Sequence, residues 1–200
     1  MSGKVTSYYS DTLIDLFEKA YSAVKILSNA ISVGTFEKGC ESTANIQADV
    51  SKLITELRAK LTTEFLAPIE RDDILLLAHL ADGLIRSYCH TCNLLYVYDI
   101  KKAEELFSLS NQCKTLAETT LQVIKEFCGK KKTWDSLFAI EAEKIAFDAA
   151  FKTKLKKLYS GVQNTLTLFV KTDVMNSMKT SCDICYDISQ NVSRIILRNS

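Results

Sequence analysis

The chain has 200 residues, and its 25 lysines and arginines nearly balance its 24 aspartates and glutamates, giving a formal net charge of +1. That balance argues against a nucleic-acid-binding protein, because a DNA-binding groove requires a concentrated basic surface. Apolar residues make up 47% of the chain, whereas there are only six glycines and one proline. So few chain breakers favour a small number of long helices over a β-sandwich or barrel, which needs frequent turns.

Three features of the sequence indicate a cytoplasmic protein. The polar N-terminus, MSGKVTSYYSD, lacks the apolar core of a signal peptide. The longest nearly apolar run, Ile74 to Ala81, contains His79 and is too short to cross a bilayer. The seven cysteines are odd in number and lie within helical patterns, so we expect reduced thiols rather than a secreted disulfide framework.

Two helices are predicted at the start of the chain. Helix 1 runs from about Ser10 to Ser32 and ends at a glycine cap, Gly34, while helix 2 runs from about Glu37 to Phe65. Apolar residues spaced by three and four predict their core faces: Leu13, Phe17, Ala20, Val24, Leu27 and Ile31 on helix 1, and Ile46, Val50, Leu53, Leu57 and Leu61 on helix 2.

The only proline, Pro68, predicts a sharp corner after helix 2, because proline does not fit a helix interior. Helix 3 then begins near Glu70, where Asp72 and Asp73 complement the positive end of the helix dipole, and it runs to about Tyr98. Its predicted core face is Ile74, Leu77, Ala78, Ala81, Ile85, Tyr88 and Cys92.

Three more helices are predicted after Asp99, which we expect to cap the first of them. Helix 4 spans Lys101–Cys128, helix 5 begins near Thr133 after a Gly-Lys-Lys-Lys loop, and helix 6 begins near Thr172 or Asp173. Apolar spacing predicts the core positions of each. On helix 4 they are Ala103, Leu106, Leu116, Leu121 and Ile124, and on helix 5 they are Leu137, Ile140, Phe147, Phe151, Leu155, Leu158 and Val162. On helix 6 they are Met175, Met178, Cys182, Cys185, Ser189, Val192 and Ile196.

Two segments carry a family resemblance. Pro68-Ile69-Glu70-Arg71-Asp72-Asp73-Ile74, with Leu77-Ala78 and Asp82 after it, resembles the Pro-Ile-Asp-Arg-Glu-Asp-Ile corner of PhoU-like regulators of phosphate transport. The closest branch is the one that accompanies Pit-type phosphate permeases. The C-terminal segment from Asp183 to Arg198 resembles the family's closing helix. The resemblance implies an all-α bundle of two three-helix repeats, 1–99 and 100–200, in one compact domain, with metal clusters held by carboxylates spaced i and i+4.

In the first repeat, the family's acidic pair on the third helix falls on Asp82 and Arg86, and its partner pair on Gln47 and Ser51. Only Asp82 is an acid, and it faces a guanidinium one helical turn away. We therefore predict an Asp82–Arg86 ion pair on a solvated face, and no metal in this repeat.

The second repeat keeps more of the pattern. The resemblance implies Asp148 on helix 5, and Asp183 with Asp187 on helix 6, as ligands of a divalent or iron-type metal ion at a degraded carboxylate site. Lys144, however, replaces the fourth acid, and Lys179 lies one turn before Asp183. Because an ammonium repels a cation and can itself satisfy carboxylates, an ion-paired or solvated helix face is the alternative.

The C-x-x-C pairs, the histidines and the basic runs are interpreted as structural or solvent-facing features. Cys89/Cys92 and Cys182/Cys185 are C-x-x-C pairs inside helical patterns, so buried structural thiols are favoured over a zinc site. His79 and His90 lie off the apolar stripe and are expected to be exposed. The basic runs, residues 130–132 and Lys152, Lys154, Lys156 and Lys157, are interpreted as solvated faces, with docking to an acidic partner or a membrane surface as the alternative.

The resemblance implies a non-enzymatic regulator of phosphate transport or phosphate signalling. It would dock onto a phosphate permease or a signalling protein, and it would be membrane-peripheral through that partner. Two alternatives remain open: a metal-dependent, phosphatase-like enzyme that uses Asp148, Asp183 and Asp187, and a helical interaction scaffold without metal.

Overall fold

The computed structural model describes residues 2–63, 70–100, 106–161 and 164–199, with side chains from residue 8 onward. These residues form six α-helices and no strand, which confirms the predicted all-α class. In chain order the helices are α1 (Ser2–Val33), α2 (Phe36–Thr63), α3 (Arg71–Val97), α4 (Phe107–Cys128), α5 (Trp134–Ser160) and α6 (Thr165–Arg198). None of these described helices combines the length and the apolarity that a membrane span requires.

Several predicted helix ends are confirmed. Gly34 follows α1 with a φ of 79°, and its N–H donates to the Ala30 carbonyl at 2.8 Å. Such a left-handed conformation suits glycine, which has no Cβ to clash. Glu70 precedes α3, whose first turn contains Asp72 and Asp73. Pro68 and the predicted helix 2 end at Phe65 lie outside the described residues, as does the predicted helix 4 start at Lys101.

Two predicted helix starts and one predicted cap differ from the structure. α1 begins at Ser2 rather than near Ser10, and Tyr9, which is 1% exposed, extends its apolar seam by one turn. α6 begins at Thr165 because the Asn164 side chain caps it, accepting a 2.8 Å hydrogen bond from the Leu166 N–H. Asp99, with a φ of 49°, lies in the turn that ends α3, and the N-cap position of the described α4 is Leu106.

The core is shared by the two halves of the chain. α1 packs against α2, α3 and α4, while α6 packs against α3, α4 and α5. All the predicted core positions on α1 and α3 are buried, and most of those on the other helices are too. The exceptions in the described residues are half-buried: Ile46, Leu53, Leu155 and Ile196. Ala103 and Val162 lie outside the described residues.

Candidate functional site

The ammonium of Lys144 lies between two of the aspartates predicted as metal ligands. Its Nζ is 2.6 Å from Oδ2 of Asp148, one turn further along α5, and 3.0 Å from Oδ1 of Asp183 on α6. The Lys144 side chain is only 11% exposed. Burial tends to lower the pKa of Lys144, but the hydrogen bonds to Asp148 and Asp183 outweigh it and raise that pKa above its usual value. The lysine is therefore a fixed positive charge at neutral pH.

A second lysine completes the charge balance at Asp183. Nζ of Lys179 is 2.7 Å from Oδ2 and 3.0 Å from Oδ1 of this carboxylate. Burial alone would raise the pKa of Asp183, but the hydrogen bonds from Lys179 and Lys144 lower it below its usual value. Asp183 is therefore ionised and neutralised on both oxygens by side chains of this chain. We call Lys144, Asp148, Lys179 and Asp183 the lysine–aspartate cluster.

The remaining predicted ligand, Asp187, is not part of the cluster. It lies one turn after Asp183 on α6 and is exposed, and its backbone carbonyl accepts a hydrogen bond from the side-chain amide of Asn191 at 2.8 Å. Asp148 presents the opposite situation, because its Oδ1 is buried without a hydrogen-bond partner in the described residues. The structure thus brings Asp148 and Asp183 together around one ammonium and leaves Asp187 in solvent.

The first repeat shows a comparable arrangement at the equivalent helix position. Nε of Arg86 donates to Oδ2 of Asp82 at 2.8 Å, which confirms the predicted ion pair. The face is less solvated than expected, since the Asp82 side chain is 17% exposed. On α2, the hydroxyl of Ser51 donates to the carbonyl of Gln47 at 3.0 Å, a local bond within the helix. A basic side chain therefore pairs with the retained aspartate in both repeats.

These side chains do not fit the metal cluster that the resemblance implies. Within the described residues, no group of three or more His, Cys, Asp or Glu side chains is placed to hold a metal ion. The two carboxylates that do approach each other already share an ammonium, and a cation placed between them would meet that positive charge. The metal at Asp148, Asp183 and Asp187 stays a prediction, to be tested by direct measurement.

The cysteines and histidines have the environments predicted for them. All seven cysteines are free thiols, and both C-x-x-C pairs are buried inside helices. Burial raises the pKa of Cys92 and of Cys185 to about 12, so both remain protonated and are poor metal ligands or nucleophiles. His79 and His90 are exposed on α3.

Polar contacts between the two halves were not predicted from the sequence. Asp73 on α3 is 3% exposed and pairs with Arg198 and Arg194 near the end of α6. The hydroxyls of Thr91 and Ser177 lie 2.7 Å apart in the core. The sequence shows an acid in the first turn of α3 and arginines in the last turns of α6. Only the packing of the two helices shows that these side chains form ion pairs.

The order of the six helices and the way they pack define a PhoU-like six-helix bundle. A crystal structure of a PhoU-like protein from Shewanella oneidensis MR-1 superposes with a TM-score of 0.84 at 13% sequence identity, covering 94% of this chain and 99% of that one. A second Shewanella oneidensis MR-1 structure, a putative PhoU-like phosphate regulatory protein, gives 0.82 at 14% identity, covering 95% and 99%.

The similarity in sequence is much weaker than the similarity in fold. The UPF0111 protein YkaA of Bacillus subtilis (strain 168) is 21% identical over 144 residues, which is 70% of each chain. No protein-family model matches the chain. The PhoU-like resemblance inferred from the corner and the closing helix is therefore confirmed as a fold, and the Pit-accessory branch stays a prediction.

Proposed function

We propose that this chain is a non-catalytic, PhoU-like regulator of phosphate transport or phosphate signalling that works by docking onto a phosphate permease, of the Pit type, or onto a signalling partner. The fold supports the class, and one of the similar structures is itself described as a putative phosphate regulatory protein. The observation that carries the proposal is the contact of Lys144 with both Asp148 and Asp183.

The lysine–aspartate cluster favours a docking protein over a metal-dependent enzyme. A hydrolase that uses two or three carboxylates needs their oxygens for a metal ion or for a proton transfer. Here three of the four oxygens of Asp148 and Asp183 are hydrogen-bonded to ammonium groups, and the fourth is buried. The cluster then serves to hold α5 against α6.

One end of the bundle offers an apolar surface that suits docking. Most of the exposed large apolar side chains in the described residues belong to helix ends that meet there: Val33, Tyr96, Val97, Phe107, Tyr159, Leu166 and Phe169. The rings of Tyr98 and Phe169 are 6.4 Å apart, which places the end of α3 beside the start of α6. Scattered exposed apolar residues are ordinary, whereas a concentration at one end is typical of an interaction surface. We call these seven residues the apolar end.

The docking proposal is tested by affinity capture from membranes together with phosphate uptake. The tagged chain should retain a phosphate permease or its signalling partner from detergent extracts, and deletion of its gene should change the rate of uptake of radiolabelled phosphate. The proposal fails if neither protein is captured and deletion leaves uptake unchanged.

A matched pair of variants tests the surface itself. Leu166→Asp with Phe169→Asp places two charges on the apolar end, where both side chains are well exposed, so folding should be unaffected while partner capture is lost. Phe138→Asp is the control, because Phe138 is equally exposed but lies near the start of α5, at the other end. Equal capture by all variants would show that docking uses another surface.

A further inference from the structure

A cavity lies at the end of the bundle opposite the apolar end. Its volume is about 750 Å³, within the range of roughly 300–1,000 Å³ typical of sites for small organic ligands. It opens where α1, α3 and α5 begin and where α4 and α6 end. Side chains from all five helices line it: Phe127, Trp134 and Ile196 expose apolar surface to the cavity, whereas Tyr9, Leu13, Ile74 and Ile195 lie beneath that surface and are at most 2% exposed.

The rim of this cavity is strongly positive. Lys130, Lys131 and Lys132 line it, and no acidic side chain of the described residues does. Within the part of the chain that the structure describes, no carboxylate lies within 4.0 Å of these three ammonium groups. The positive end of the α5 helix dipole, at Trp134, adds to the same field. The negative ends of the α4 and α6 dipoles and Asp11, which acts on Cys128, oppose this field, so the three ammonium groups are what would attract an anionic group to the rim.

The lysine loop is held in place by its backbone. The N–H groups of Gly129, Lys130 and Lys131 donate to carbonyls in the last turn of α4 at 2.9, 3.1 and 2.9 Å. Lys130 has a φ of 52°, and this left-handed turn carries the chain sharply from α4 into α5. The three lysines are thus presented by an ordered turn beside the cavity mouth.

From this combination we propose a binding site for a single-chain anionic amphiphile, that is, one alkyl or acyl chain with a phosphate or carboxylate head group. The chain would lie against the apolar wall, where its burial removes it from water, and the head group would bind the lysines at the rim. Free inorganic phosphate lacks the chain, and a neutral alcohol lacks the charge. Neither uses both parts of the site.

Binding at this site is non-covalent. Cys128 is the one thiol that lines the cavity, and burial raises its pKa to about 11, so it remains protonated and is not a nucleophile at neutral pH. The site is also separate from the lysine–aspartate cluster, and the inference does not depend on the proposed function.

The position of Trp134 makes the test direct, because this residue is the only tryptophan in the chain and lines the cavity. Its fluorescence would be titrated with dodecyl phosphate, dodecanoate, dodecanol and inorganic phosphate, with each amphiphile below its micelle concentration. Saturable changes in Trp134 fluorescence are expected with dodecyl phosphate, dodecanoate or both. The relative affinity of these two probes identifies the preferred head group. Dodecanol is expected to bind at least about tenfold more weakly, because it forms no charge-assisted hydrogen bond at the rim.

A matched pair of double variants locates the head group. Lys131→Glu with Lys132→Glu should weaken anionic amphiphile binding by about tenfold or more. Lys156→Glu with Lys157→Glu makes the same change in net charge at two exposed lysines outside the cavity, and it should leave the affinity unchanged. Circular dichroism would verify that both variants fold.

Three results would overturn the inference. One is the absence of saturable binding by either anionic probe. Another is equal affinity for dodecanol and the anionic probes, which would indicate a purely apolar groove. The third is an equal loss of affinity in both double variants, which would indicate non-specific attraction to a basic protein.

Discussion

At the scale of single residues, Lys144 makes a contact that requires two helices. Its bond to Asp148 is within α5, whereas its bond to Asp183 crosses to α6. A side chain that neutralises two carboxylates from two helices takes the structural role that a bound cation has in other carboxylate sites. Removing it would leave two partly buried anions close together.

We predict that Lys144→Met lowers the free energy of unfolding by about 1–3 kcal/mol. The figure lies below that of a fully buried ion pair, because Asp148 and Asp183 are about a third exposed or more and are partly screened by solvent. Urea denaturation measures it, with Lys156→Met as the control on the exposed face of α5. If both variants unfold at the wild-type urea concentration, Lys144 has no stabilising role.

The lowered pKa of Asp183 predicts how stability depends on pH. An aspartate whose pKa is lower in the folded than in the unfolded chain stabilises the fold above the unfolded value of about 3.9. That contribution is lost as the pH falls through the folded-state pKa. Asp183→Asn should therefore reduce stability at neutral pH, and the difference from wild type should shrink in increasingly acidic buffer. A difference that is constant across this pH range would contradict the ion pairing.

Contacts within one helix could be predicted from the sequence, whereas contacts between helices could not. Asp82 with Arg86, and Lys179 with Asp183, are four residues apart, and that spacing alone places them on one helix face. The meeting of Lys144 with Asp183 depends on how α5 and α6 are aligned along their axes. The sequence pattern predicts the start of α6 near Thr172 or Asp173, whereas the Asn164 cap starts it at Thr165, so the pattern does not give this alignment.

At the scale of helices, two glycines show how closely the elements approach. A Cβ added at Gly39 on α2 would lie 3.0 Å from Cβ of Ala30 on α1, which is shorter than an ordinary contact. A Cβ added at Gly83 on α3 would meet only Cδ1 of Ile184, at 4.0 Å. Gly39 therefore permits a close helix crossing, whereas Gly83 is a helix-interior glycine with space around it.

The two glycines should respond in opposite directions to the same substitution. Gly83→Ala is expected to raise the free energy of unfolding by about 0.5–1 kcal/mol, because alanine loses less conformational entropy than glycine in a helix. Gly39→Ala is expected to lower it, because α1 and α2 must move apart. Thermal denaturation of the two variants provides the comparison, and equal stabilisation by both would show that the α1–α2 crossing is not tight.

At the scale of the whole molecule, the two halves share one core. α1 packs on α4 and α3 packs on α6, and Asp73 with Arg198 adds a polar contact between the halves. The sequence predicted the number of helices and most of their apolar faces, because the 3.6-residue periodicity is local. It did not predict the contacts between halves, which depend on the packing of distant elements. The division at residue 99 remains a prediction about repeats.

A shared core predicts a single cooperative unfolding transition. Trp134 reports on the second half, while far-ultraviolet circular dichroism reports on all six helices. The two signals should give the same denaturation midpoint. Two separate midpoints would show that the halves unfold independently.

We propose that the ammonium groups of Lys144 and Lys179, rather than a metal ion, neutralise Asp148 and Asp183. Elemental analysis of protein purified without chelator, then incubated with manganese, iron, magnesium or zinc and desalted, tests it most directly. If Lys144 and Lys179 occupy the site, wild-type protein should retain well below one equivalent of metal, whereas Lys144→Glu combined with Lys179→Gln should retain more. Retention of about one equivalent by the wild type, lost in Asp148→Asn and Asp183→Asn, would contradict the claim and restore the metal site.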